Sequence, residues 1–156
     1  LRSDSHVEPI GAATQHARDA GLSNVSFEMG PADDYRCDDG GRPYDFVPVF
    51  DALHDMGDPA AAARHVRDTL SPGGTWMIVE PYAGDRIEEN LNPVGRAYYA
   101  ASTLLCTPCS LSQDGRMGLG AQAGEARLRS VVTAAGFSQF RRAMHTPVNL
   151  ILEARP

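Results

Sequence analysis

Between Tyr44 and Glu80 two apolar runs flank one amphipathic helical stretch, and this arrangement limits the fold more than any other feature of the chain. Phe46-Val47-Pro48-Val49-Phe50 has the length and composition of a buried strand. Asp58 then suits a helix N-cap with Pro59 at the first helical position, and Ala63, Val66 and Leu70 supply an apolar face. Ser71-Pro72-Gly73-Gly74 is expected to end the helix, and Thr75 to Glu80, TWMIVE, reads as a second strand. Strand, helix, strand implies a right-handed crossover and a parallel pair. Ligands of an open α/β sheet sit outside the carboxyl ends of its strands. Here the first strand discharges into Asp51, His54, Asp55 and Asp58, and the second ends at Glu80. A site is therefore expected at that edge.

The remaining segments extend the pattern. Pro9, Ile10, Ala13, Ala17 and Ala20 outline a first helix stopped by Gly21, and Asn24 to Met29 alternates like a strand. The next dozen residues are turn-rich and acidic. Residues 82–123 break the rhythm: they read as helical around 94–105 and otherwise Gly- and Ser-rich, and an insertion of this length is expected to form a lid or binding loop. Leu128, Val131, Val132 and Ala135 mark another helix ended by Gly136. Phe137 to Met144 and Val148 to Ala154 are joined only by His145-Thr146-Pro147, which forces an antiparallel pair.

Composition narrows the function. With 14 basic and 20 acidic residues the net charge is −6, against nucleic-acid contact by this segment. No apolar run approaches the roughly 20 residues a membrane span needs, so no membrane partner is expected and a cytoplasmic location is the default. Cys37, Cys106 and Cys109 form no disulfide framework. Cys106-Thr107-Pro108-Cys109 has the C-x-x-C spacing, but the expected helix runs into Cys106 from before it, so the helix dipole has the wrong sign to activate a thiolate. His6, His16, His65 and His145 have no partners at metal spacing, and no metal is expected.

A parallel α/β sheet closed by an antiparallel terminal hairpin resembles the class I S-adenosylmethionine-dependent methyltransferase fold. The L-x-P-G-G turn at Leu70 to Gly74, the Y-D-x-V strand at Tyr44 and the A-G-F step at Ala135 to Phe137 agree with it. FDALHDMGDP, LSPGGTWMIVEP, NPVGRAYYAAST and LGAQAGEARL are similar to bacterial proteins that carry a winged-helix segment before a methyltransferase domain. His54-Asp55-Met56-Gly57-Asp58 matches the H-D-x-x-D motif of plant-type small-molecule O-methyltransferases. That resemblance implies S-adenosylmethionine as cofactor, a small-molecule acceptor, His54 as general base and Glu80 as the carboxylate orienting it. Adjacent parallel strands would bring the 50–55 loop and Glu80 to one edge. The resemblance places Asp4 at the cofactor ribose, Ala32 and Asp33 at adenine, and Phe50 and Asp51 at its methionine end. Pro31 stands where the family usually has an Asp. Asn90, Tyr98 and Tyr99, inside the insertion, are the expected acceptor-side residues.

One family feature is missing from these residues. The first strand and its G-x-G-x-G turn should precede Asp4, whereas the chain begins Leu1-Arg2-Ser3. The expectation is therefore a partial methyltransferase domain over residues 1–156, a fragment, with 82–123 as the substrate lid. In the family's order the missing strand lies beside the one at Phe46, so its loss would expose an apolar edge. Two other readings are a ligand-sensing domain of a winged-helix regulator and an inactive truncated product.

Overall fold

The computed structural model describes residues 2–4, 7–35 and 41–156, with the side chains of residues 2–4 outside the description. The chain divides into two compact units, Leu1–Pro43 and Tyr44–Pro156.

In the first unit β1 (Arg2–Asp4) pairs in parallel with β2 (Phe27–Met29), and α1 (Val7–Asp19) connects them. Gly21 stops the helix in the left-handed region, φ 67°, a conformation that costs glycine little because it has no Cβ. The strand expected over 24–29 narrows to 27–29, since β1 offers only three residues to pair with.

The second unit is a four-stranded sheet in the order β3 (Tyr44–Phe50), β4 (Leu70–Pro81), β6 (Asn149–Arg155), β5 (Gln139–His145). β3 and β4 are parallel, and the two later pairings are antiparallel. The parallel crossover and the terminal hairpin are those expected from the sequence. β4 differs by starting at Leu70: Tyr44 pairs with Leu70 and Phe46 with Thr75, so Ser71 to Gly74 form an irregularity within the strand.

α2 (Pro59–Thr69) has the expected cap, Asp58 Oδ1 accepting from the Ala61 N–H at 2.8 Å. α5 (Gly124–Ala134) packs against α2, and the two helices rest on β4 and β5. Alternation along the strands sends Trp76, Ile78, Leu150, Leu152 and Ala154 into this layer, where all are buried. Phe137 stacks against Trp76 with ring centroids 5.3 Å apart. β3 was expected to be buried, yet Phe46 is 52% and Phe50 57% exposed. The reason is topological: β3 ends the sheet, and its even-numbered residues face away from α2 and α5.

The insertion is more helical than expected. α3 (Pro93–Ala101) continues through a π-helical turn, Ser102–Cys106, into α4 (Thr107–Ser112). Thr107 N–H reaches back five residues to Ser102 O. Pro108, which cannot donate to Leu104 O, follows this widened turn without breaking the rod. No helix among the described residues is long and apolar enough to cross a membrane.

Candidate active site

β3 ends at Phe50 and is followed by Asp51, which has a left-handed backbone (φ 44°). Its N–H donates to Val79 O at 2.8 Å and its Oδ1 accepts from Asn149 Nδ2 at 3.3 Å. The chain then turns through a short 3-10 segment, Leu53–Asp55, that carries His54 past the end of β4. Leu53 is buried beneath it and anchors the turn.

There His54 meets Glu80. His54 is 4% exposed and Glu80 1%, and His54 Nδ1 lies 2.5 Å from Glu80 Oε2. Glu80 Oε1 accepts the Leu53 N–H at 3.0 Å. Both carboxylate oxygens are thus engaged, which a buried charge requires. On the opposite side of the ring, His54 Nε2 is 3.2 Å from Asp55 Oδ1. Burial opposes charge on the imidazole, but the hydrogen bond and charge of Glu80, with Asp55 and Asp51 beyond, outweigh it and hold the histidine pKa above its ordinary value.

The insertion closes over this turn. Gln113 bridges it, Oε1 accepting from Gly57 N–H and Nε2 donating to Asp55 O. Ser110 Oγ donates to Met56 O, Met117 N–H to Gly57 O and Gly120 N–H to His54 O. Gly57 is required for the approach, because a side chain there would run into the backbone of Asp114 and the Gln113 side chain.

The other residues expected at the site divide. Tyr98 donates from its hydroxyl to Val148 O at 2.9 Å, and burial with the nearby Asp51 charge raises its pKa. Tyr99 is exposed. Asn90 is buried with its amide committed to its own loop, accepting from Gly84 N–H and donating to Gly84 O and Arg86 O. This replaces the acceptor-facing amide expected from sequence with a loop clamp. Phe50 and Asp51 stand at the carboxyl end of β3. Ala32 and Asp33 lie in the first unit, and Asp4 ends β1 with its side chain outside the described residues.

Sequence spacing pointed to no metal ligands, yet the fold gathers His54, Asp55 and Cys106, whose ligand atoms all lie within 4.8 Å of one another. Cys106 is 52 residues from His54 by numbering (106 − 54), so no motif could have linked them. Burial and the neighbouring Asp55 push its thiol up to about 11, the reverse of an activated redox cysteine.

Residues 4–132 match the family described as a methyltransferase domain. The chain belongs to that family. YcgJ of Bacillus subtilis, an uncharacterized methyltransferase, is 27% identical over 95 residues, 60% of this chain and 37% of YcgJ. The solved YcgJ structure superposes with a TM-score of 0.64 at 19% identity, covering 91% of this chain and 53% of that one. NcsB1, an O-methyltransferase from neocarzinostatin biosynthesis solved with S-adenosyl-L-homocysteine and 1,4-dihydroxy-2-naphthoic acid, gives 0.65 at 21% identity, over 98% of this chain and 40% of NcsB1. PigF, solved with S-adenosyl-L-homocysteine, gives 0.70 at 15%, over 96% and 41%. The Rossmann-like methyltransferase sheet expected from sequence is thus the fold of these proteins as well. The chain spans little more than a third of YcgJ's sequence and about half or less of these solved chains.

Proposed function

We propose that the protein containing this chain transfers a methyl group from S-adenosyl-L-methionine to a hydroxyl of a small-molecule acceptor. The buried His54–Glu80 contact at the carboxyl edge of β3 and β4 carries this reading. It is supported by membership of the methyltransferase family and by the likeness to NcsB1, whose structure holds a dihydroxynaphthoic acid.

When bound, the cofactor supplies an electrophilic methyl group on its sulfonium sulfur. The residues here fit its methionine end: Asp51 offers a carboxylate beside the exposed Phe50 ring. Glu80 accepts the Nδ1 proton of His54, leaving Nε2 to take the proton of the acceptor hydroxyl as its oxygen is alkylated. The imidazolium so formed lies between Glu80 and Asp55, whose charges stabilise it. Tyr98 and Tyr99 on α3 form the acceptor wall, with the 82–123 segment as the cover that excludes water.

The test is methyl transfer to a set of phenolic acceptors by the full-length protein. His54→Gln is expected to lower kcat about 10²- to 10⁴-fold while cofactor affinity is kept. Unchanged turnover in that variant would remove His54 from the chemistry. Cofactor and acceptor binding with no turnover by the unaltered protein would favour ligand sensing.

A further inference from the structure

We infer that His54, Asp55 and Cys106 form a binding site for a divalent transition metal of the zinc class. Three observations converge on it. First, the donor atoms are close enough to share one ion. Tetrahedral zinc with bonds of about 2.0–2.3 Å sets ligand atoms roughly 3.3–3.6 Å apart. His54 Nε2 and Asp55 Oδ1 are 3.2 Å apart, and Cys106 Sγ lies within 4.8 Å of a ring nitrogen of His54 and a carboxylate oxygen of Asp55.

Second, the outer support of a metal-bound histidine is already in place. Metal-ligating imidazoles characteristically give their other ring nitrogen to a carboxylate, which fixes the tautomer and ring orientation. Glu80 holds Nδ1 in this way, and Leu53 N–H holds Glu80 in turn. Nε2 is left to coordinate.

Third, Asp55 Oδ1 is a buried oxygen with no hydrogen-bond partner. Such an atom calls for an explanation, and an ion is one of the few. It faces His54 Nε2 at 3.2 Å, the ring nitrogen that Glu80 leaves free. A positive charge between the two atoms, a proton or a bound cation, holds them together, and the metal competes with the proton for the site.

One nitrogen, one oxygen and one sulfur suit zinc or cobalt rather than magnesium or calcium, which favour all-oxygen shells. Three protein ligands leave a fourth position for water. On coordination the Cys106 S–H proton passes to solvent and a sulfur–metal bond replaces it, with no change of oxidation state. His54 and Asp55 belong to the 3-10 turn and Cys106 ends the π-helical turn, so the ion would also tie the insertion to the turn. It would occupy the nitrogen assigned to proton removal, so the occupied site would be methyl-transfer-inactive. That consequence rests on the methyl-transfer reading; the site itself does not.

The decisive measurement is metal uptake, read without turnover. In equilibrium dialysis under reducing conditions the full chain should bind one zinc ion. Cys106→Ser and Asp55→Asn should each weaken binding at least tenfold, with Cys109→Ser unchanged. Cobalt should give a near-ultraviolet thiolate charge-transfer band that Cys106→Ser abolishes, in protein whose circular dichroism matches the parent. Sub-stoichiometric uptake, loss of the band in Cys109→Ser, or binding indifferent to Cys106 and Asp55 overturns the site. Stoichiometric uptake beside unimpaired turnover in His54→Gln would sink the base and leave the metal site standing.

Discussion

Both faces of the four-stranded sheet carry large apolar residues but meet different surroundings. On one face Trp76, Ile78, Leu150 and Leu152 are buried under α2 and α5. On the other, Phe46, Phe50 and Met144 are more than half exposed. Strands that are apolar on both faces are the mark of a parallel α/β sheet covered on both sides. The two ends of the sheet repeat the contrast. The outer strand β5 carries Arg141 and Arg142, which pair with Glu153 and Glu125, and has an irregularity in its register with β6. Charges and bulges of this kind protect a free edge. β3 has no such charges facing outward beyond Asp45, although Pro48 guards it in another way. Asp51 N–H points to Val79 O, so by alternation the position of Pro48's missing N–H is on the free side. The difference teaches that burial here is decided by what covers a strand, not by the strand's own composition.

The largest expected effect tests that contrast directly. Trp76→Ala should cost about 3–5 kcal/mol in urea unfolding, whereas Phe46→Ala should cost less than about 1 kcal/mol. Equal losses would show that the second face is packed as tightly as the first. Glu80→Ala should destabilise by about 3–5 kcal/mol, because it strands His54 and the Leu53 N–H in the covered layer; a loss under about 1 kcal/mol would show that water reaches the pair. The covering helices come next. Asp58→Ala should remove about 1 kcal/mol through loss of the α2 cap, measured the same way.

The smallest effect depends on pH. Glu125, on α5, is desolvated, but its hydrogen bonds to Arg142 and Arg129 prevail and hold its pKa below the ordinary 4.5. A depressed carboxylate stabilises the fold above its unfolded value and loses that contribution as pH falls through its folded value. Glu125→Gln should therefore lower stability at pH 7 by less than about 1 kcal/mol, and the difference from the parent should shrink as pH falls below 4.5 and vanish only below the folded-state value. A difference that persisted undiminished in acid would assign the effect to packing.

Much of this was legible in the residues because local structure is encoded locally. Asp58-Pro59 announces the start of α2, three residues between two β-rich runs compel a hairpin, and two parallel strands joined by one helix bring residues 54 and 80 to the same edge. The insertion resisted reading. Its helix continues past Cys106 because a π-helical turn accommodates Pro108, and such a turn has no signature in hydrophobic periodicity. Asn90 gave no sign that its amide would be spent on Gly84 and Arg86.

By itself, then, the sequence determined the order of elements, the parallel and antiparallel pairings and the edge at which His54 and Glu80 meet, since each follows from periodicity, capping and connection length over a few tens of residues. Only the tertiary structure decided which sheet face is buried, that Gln113 and Ser110 clamp the insertion onto the turn, and that Cys106 arrives beside His54 and Asp55. These are contacts between segments distant along the chain, set by packing and by hydrogen bonds to backbone atoms. No pattern of residue types records which backbone a distant side chain will reach.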